Sequence, residues 1–256
     1  MIKIKTPEEI EKMRAAGQLV AQALEAICGS VVPGKTKTIH LDILAEKIIR
    51  EAGGIPSFKN YRGYPASVCV SINEEVVHGI PGERVIESGD IVGIDIGAIL
   101  DGYHGDSAVT FAVGEVPEVT KKLLKVTREA LFAGIDKARP GNRVSDISRA
   151  IQQHAERNGY SVVRELVGHG IGSEMHEDPP VPNYVGPGPD PVLKAGMTLA
   201  IEPMVNVGGY AVKYLSDKWT VVTKDRSLSA HFEHTVAVTN GEPDILTLRS
   251  EEKARQ

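Results

Sequence analysis

Two seven-residue segments constrain this chain more than any other feature. Gly89-Asp90-Ile91-Val92-Gly93-Ile94-Asp95 and Gly196-Met197-Thr198-Leu199-Ala200-Ile201-Glu202 lie 107 positions apart. Pro33-Gly34 and Pro140-Gly141 repeat at the same offset. Around each pair the element order recurs: a helix, Pro-Gly, a helix ending in glycine, then strands. A fixed offset at two distant places points to an internal duplication. The expected architecture is a single α/β (α+β) domain over 1–256, with halves at about 6–115 and 117–240. The offset pairs Asp95 with Glu202, so a site is expected where the halves meet.

The local signals agree with that order. Thr6-Pro7-Glu8-Glu9 is a capping box with proline at the first helical position. Ile10, Met13, Gly17, Val20, Leu24 and Ile27 follow at steps of three and four, which predicts a helix over 7–28. A second helix is expected over about 38–52, a third over 118–138, and a fourth ending at Asn158-Gly159. Strands are expected at SVCVSI, DIVGIDIGAI, YHGDSAVTFAVG, YSVVREL, GMTLAIEPMV, KWTVVTKD and HFEHTVAVT.

Strand parity makes the acids unusual. In DIVGIDIGAI the apolar Val92, Ile94, Ile96 and Ala98 share one face, and Gly93, Asp95 and Gly97 share the other. Asp106, Ala108 and Thr110 share a face of the return strand, and Asp101-Gly102 can close the hairpin. Glu202 and Glu233 stand opposite apolar residues in the same way. Four carboxylates on small-residue faces lose hydration and repel one another. Divalent metal is the natural counter-charge, and paired metals need bridging carboxylates.

The eight histidines add candidates. His169 lies in Gly168-His169-Gly170, where glycine permits close backbone approach. His176 precedes Glu177-Asp178-Pro179, and His78 precedes Gly79-Ile80-Pro81. His40 and His154 fall in helices and read as structural or solvated. His104, His231 and His234 flank acids and can orient them, though parity sets His234 opposite Glu233.

Composition and missing motifs exclude other chemistries. A net charge of −5 and 5% aromatic residues give no basic stripe for nucleic acid. Cys28 and Cys69 lack CxxC or metal-ligand spacing, so a disulfide framework is not expected. No run of 18 apolar residues exists, and the N-terminus lacks an apolar signal core. A cytoplasmic protein without membrane contact is expected. There is no GxxxxGK[ST] loop and no GxSxG elbow. HExxH fails because Pro180 stands where the second histidine is needed.

The set Asp95, Asp106, His169, Glu202 and Glu233, within IDIGAILDGYHGDSA, GHGIG, IEPM and EHT, resembles type I methionine aminopeptidase over most of the chain. That resemblance implies the "pita-bread" fold, a pseudo-two-fold sheet with helices on its outer side. It implies two divalent cations (cobalt, manganese, iron or zinc), with Asp95 on one and His169 on the other. Asp106 and Glu233 would bridge them, and Glu202 would bind the His169 metal and help deprotonate a bridging water. His78 and His176 would contact substrate, with His176 at the scissile carbonyl. Tyr61, Tyr64, Cys69, Met175 and Trp219 would form the methionine pocket. Asn73, Glu75 and Ser229 match a sodium or potassium site. Gly97 stands where some relatives carry threonine, and would enlarge the cleft there.

The implied activity is removal of the initiator methionine from nascent chains whose second residue is small, by a monomer that meets the ribosome transiently. Xaa-Pro aminopeptidase or prolidase on the same fold is the alternative, though those relatives carry a large N-terminal domain with no counterpart before Thr6. A non-catalytic module of this fold would be expected to lose ligands. Type II enzymes carry a helical insertion that does not fit between His176 and Glu202.

Overall fold

The computed structural model describes residues 1–253. Helix α1 (Pro7–Gly29) starts with the expected box: the Thr6 hydroxyl accepts from Glu9 N, and the Glu9 carboxylate accepts from Thr6 N. Each of these bonds satisfies an amide that the first turn leaves free. Helix α2 (Thr38–Glu51) packs on α1. Helices α3 (Glu118–Ile135) and α4 (Val144–Arg157) form the second pair. A short α5 (Ser250–Lys253) follows near the C-terminus.

The helices cover a nine-stranded sheet whose pairings are all antiparallel. Its central path runs Ile55–Pro56, Ile91–Leu100, Tyr103–Ala112, Glu233–Ala237, Thr198–Ile201, Gly168–Gly170, Glu177–Val181. Val68–Ile72 also pairs with Ile91–Leu100, and Asp244–Ile245 with Glu233–Ala237. Two three-stranded sheets complete the chain. One joins Ser161–Val162, Met204–Asn206 and Ser229–His231. The other joins Glu75–Val77, Val212–Tyr214 and Val221–Thr223.

Two apolar clusters lie under the helices. Leu24, Ile27, Leu41 and Ile49 of α1 and α2 bury Val68, Val70, Ile94 and Ile96. Leu123, Leu131, Ile147 and Ile151 of α3 and α4 bury Leu199, Ile201 and Val236. Val109 touches both clusters from the central strand. The helix-facing side of the sheet is therefore filled with aliphatic side chains, which directs the polar residues of the same strands to the opposite side.

The long hairpin 91–112 forms as its parity predicts, with Asp95 opposite Ala108 and Gly97 opposite Asp106. The second half departs from expectation. GMTLAIEPMV breaks at Glu202-Pro203 into Thr198–Ile201 and Met204–Asn206, which belong to different sheets. Proline has no amide to continue a ladder. HFEHTVAVT breaks at Phe232 in the same manner, between Ser229–His231 and Glu233–Ala237. YSVVREL contributes only Ser161–Val162, and KWTVVTKD only Val221–Thr223.

Helix α1 approaches the hairpin at two glycines. A Cβ on Gly105 would lie 2.7 Å from Gly17 N and 2.8 Å from Ala16 C. Backbone cannot retreat from that contact without moving the helix. Gly105→Ala is expected to lower stability by about 1–3 kcal/mol, the range for overpacking a close-packed site. Gly82→Ala, where a Cβ meets nothing within 4 Å, is the matched control. Urea unfolding of both variants checks this, and equal midpoints would refute it.

Candidate metal centre and substrate cleft

Four neighbouring strands deliver carboxylates to one side of the sheet. Asp95 and Asp106 come from the two arms of the hairpin. Glu202 follows the last residue of Thr198–Ile201, and Glu233 opens Glu233–Ala237. His169 sits in the next strand, opposite Ala200. Glu202 and Glu233 both flank the points where second-half strands change sheet: Glu202 follows the end of its ladder, and Glu233 opens its own opposite Ala108.

The backbone under these acids is tied down. Asp106 N donates to Thr235 Oγ1 at 3.0 Å, and that hydroxyl donates to Asp106 O at 2.8 Å. Ser107 Oγ donates to Glu233 O at 2.6 Å. The glycines beside His169 are required by close strand packing. A Cβ on Gly168 would lie 2.4 Å from Ala200 O, and one on Gly170 2.2 Å from Asp178 O.

The acids are buried without protein counter-charge. Asp95 Oδ1, Asp106 Oδ1 and Glu233 Oε1 have no hydrogen-bond partner among the described residues. Burial pushes Asp95 up to about 7 and Glu202 up to about 8. Burial and the neighbouring acids push Asp106 and Glu233 well above the carboxylate range. His169 donates from Nδ1 to Gly170 O at 2.8 Å, which leaves the Nε2 lone pair free. Burial holds this imidazole neutral, down at about 3.

Orphaned carboxylate oxygens beside a neutral imidazole fit a divalent metal centre. Donor atoms of Asp106, His169 and Glu233 all lie within 4.8 Å of one another. Oxygen-rich donors with one nitrogen suit several first-row divalent ions and do not choose among them.

Beside the acids lies a cleft of about 150 Å³. Tyr61, Tyr64, Cys69, His78, Met175, His176 and Trp219 all line it, with the five acid and histidine donors. Tyr61 OH is 2.8 Å from His176 Nδ1, and the two rings stack at 5.3 Å. Trp219 meets Tyr64 edge-on at 5.1 Å. Cys69 pairs directly with Asp95 across the ladder. Burial raises its thiol far above the usual range, so it serves as a soft wall and not a nucleophile. His78 takes a left-handed backbone, φ 60°, and burial with nearby imidazoles holds it down at about 4.

The remaining residues separate clearly. Asn73 and Ser229 meet through the Ser229 N to Asn73 O bond of 3.0 Å. The Asn73 side chain bonds Asp90 and Ile91 N, and both Glu75 oxygens are taken by Ile72 N and Arg84. Protein donors thus engage the Asn73 and Glu75 side-chain oxygens, while the Ser229 hydroxyl itself donates to Asn206 Oδ1 at 2.8 Å. His40 caps α2 through Lys37 N, and His154 contacts Glu129. His104 bonds Ser57 Oγ at 2.9 Å. His234 faces away, toward Thr247 and Glu252.

Gly97 requires a correction. It does not enlarge the cleft, because Phe58 and Ser57 fill the space; a Cβ there would lie 2.9 Å from Phe58 Cε1 and from Ser57 Cβ. Phe58 and Arg62 line the cleft as well, and sequence reasoning passed over both. The available signal is that Phe58 is the third aromatic of the loop SFKNYRGY, beside Tyr61 and Tyr64.

The raised carboxyl groups have a thermodynamic consequence. A group whose folded value exceeds its unfolded value stabilises the fold below the unfolded value, and that contribution is lost as pH rises through the folded one. In chelator, the melting temperature is expected to fall as pH rises from about 6.5 to 8, because the depressed imidazoles such as His78 and His169 act in the opposite sense only at lower pH. A saturating divalent metal should abolish the fall. Melting curves in both conditions check this, and a flat profile in chelator would contradict it.

The sequence pattern of metallopeptidase family M24 matches residues 11–240. The chain is 57% identical to methionine aminopeptidase of Clostridium acetobutylicum, covering 97% of this chain and 99% of that one. It is 55% identical to methionine aminopeptidase 1 of Bacillus subtilis, over 96% and 99%. The crystal structure of methionine aminopeptidase from Rickettsia prowazekii superposes with a TM-score of 0.94 at 45% identity, over 97% and 100%. Prolidase of Pyrococcus horikoshii shares the fold, with a TM-score of 0.79 at 24% identity; the match spans 96% of this chain and 64% of that one. The chain belongs to metallopeptidase family M24.

Proposed function

We propose that this chain is a methionine aminopeptidase that hydrolyses the first peptide bond of polypeptides with a small, uncharged second residue. The observation that carries the reading is the group of buried, unpartnered acid oxygens and His169 opening directly onto an aromatic, sulfur-lined cleft. Asp95, Asp106, His169, Glu202 and Glu233 would hold two divalent cations. When bound, these supply Lewis acidity toward the scissile carbonyl and lower the pKa of the attacking water.

The chain's own groups do the rest. The anionic donors attract the substrate's free α-amine, which selects N-termini. Tyr64, Cys69, Met175 and Trp219 receive the methionine side chain, whose thioether gains contact with aromatic edges. The Tyr61 hydroxyl, donating to His176 Nδ1, leaves the proton on Nε2, where it can donate to the carbonyl oxygen. Burial keeps His176 below its ordinary range, so it acts as a neutral donor. Glu202 takes the proton of the attacking water and passes it to the departing amide nitrogen as the C–N bond breaks. His78 donates to the adjacent amide. The two halves, about 6–115 and 117–240, act as one domain with the site at their junction. No helix among the described residues is long and apolar enough to cross a membrane. The proposed setting is a cytoplasmic monomer acting on nascent chains at the ribosome.

Methionine release from Met-Ala-Ser, Met-Phe-Ser and an Xaa-Pro peptide tests this. Turnover of Met-Ala-Ser that needs divalent metal and vanishes in Asp106→Ala is expected. His176→Ala should lower kcat by about 100- to 1000-fold, as for loss of one oxyanion donor. Preferred cleavage of the Xaa-Pro peptide would instead assign the prolidase activity.

A further inference from the structure

His231 is a buried imidazole beside the acids to which the chemistry above gives no task. It is 4% exposed and ends Ser229–His231. Its Nε2 has no hydrogen-bond partner and lies 3.6 Å from Glu202 Oε2. The other oxygen of the same carboxylate, Oε1, lies 3.7 Å from His169 Nε2. Glu202 therefore sits between two imidazoles, of which only His169 belongs to the donor set. A buried polar atom left without a partner carries a desolvation cost, so an unused one calls for explanation.

The backbone of His231 is fixed as firmly as that of a ligand. His231 N donates to Thr110 Oγ1 at 2.9 Å, and Thr110 Oγ1 donates to His231 O at 2.8 Å. Thr235 clamps Asp106 in the same reciprocal way. The Ala108–Glu233 pair lies midway between the two clamps. A two-fold axis through that pair exchanges Asp106 with His231. His231 thus occupies, in the second half, the place that Asp106 holds in the first. Its Nε2 faces Glu202 Oε2, so it reaches the site through that carboxylate.

We propose that His231 is a positioning residue for Glu202. Its Nε2–H faces Oε2 at 3.6 Å, and the attraction between them holds Oε1 on the His169 side. The inference rests on the metal-centre reading above. Asp95, Glu202 and His78 are the titratable groups whose interactions place them around it. A neutral donor suits this place better than a cation. A lysine or arginine would neutralise Glu202 and compete with metal, whereas a neutral N–H orients the carboxylate and leaves its charge available.

Cobalt(II) titrated into metal-free protein tests the proposal, read by calorimetry and by the visible absorption of the bound ion. His231→Leu is expected to weaken cobalt binding by about 10- to 100-fold, the usual loss for an outer partner of a ligand. Its absorption bands should shift, and kcat should fall while KM changes little. His231→Gln, whose amide can reach Oε2, should restore most of both readouts. His231→Asn, polar but shorter, should show the same loss as leucine even if the leucine variant folds poorly. Cobalt binding within twofold of wild type and an unchanged spectrum in the Leu or Asn variant would overturn the proposal. Failure of the wild type to bind cobalt would sink the metal-centre reading, and this inference with it.

Discussion

Mutual repulsion among four buried carboxylates is the constraint on which this structure turns. Asp95, Asp106, Glu202 and Glu233 stand on one side of a sheet, and Asp95, Asp106 and Glu233 each keep an oxygen that no group among the described residues satisfies. Charged groups removed from water without a partner cost several kcal/mol each. Such a cluster persists in the metal-free chain only by taking up protons, which is what the raised carboxyl groups signify. The fold must supply the compensating stability elsewhere. Two aliphatic clusters under two helix pairs do so, on the opposite side of the same strands.

The contrast between the two sides is sharpest at adjacent residues. Glu233 points to the cleft and has an orphaned oxygen. His234, next in the chain, points away, bonding Thr247 through Nδ1 and facing Glu252, which pairs with Arg249. Burial alone would raise the Glu252 carboxyl, but bonds to His234 and the charge of Arg249 hold it well below its usual range. One strand therefore carries a buried acid that has no protein partner and lies behind it a buried acid fully paired. Pairing marks structure, and its absence marks the place left for a ligand.

Much of this was legible in the sequence because it depends on short-range pattern. Helices α1 and α2 and the hairpin 91–112 follow from caps, three-four spacing and parity, and their observed bounds agree within two residues. The side to which Asp95 and Asp106 point was fixed by the alternation of Val92, Ile94 and Ile96 with glycines. The second half was harder because its strands change sheet at Glu202-Pro203 and Phe232, and alternation says nothing of which sheet a strand joins. The clamps Thr110–His231 and Thr235–Asp106 join residues more than a hundred positions apart. No local signal announces them. The offset that aligns Asp95 with Glu202 also fails to align Asp106 with His231, because the segment between Asn206 and Ser229 lengthens the second half. The equivalence emerges only from the register of the central strands.

Gly97 and Phe58 show how a cleft wall can be misjudged from one position. Read alone, glycine in place of a larger residue implies added space. In three dimensions the vacated volume is already occupied, because Phe58 and Ser57 lie closer than ordinary contact to where a side chain would begin. The two positions are one packing decision: a branched residue at 97 requires a smaller one at 58. Gly97 also pairs directly with Asp106 across the ladder, so anything that moves Phe58 bears on an acid of the centre. The shape of the pocket and the placement of the acids are therefore coupled through a single contact.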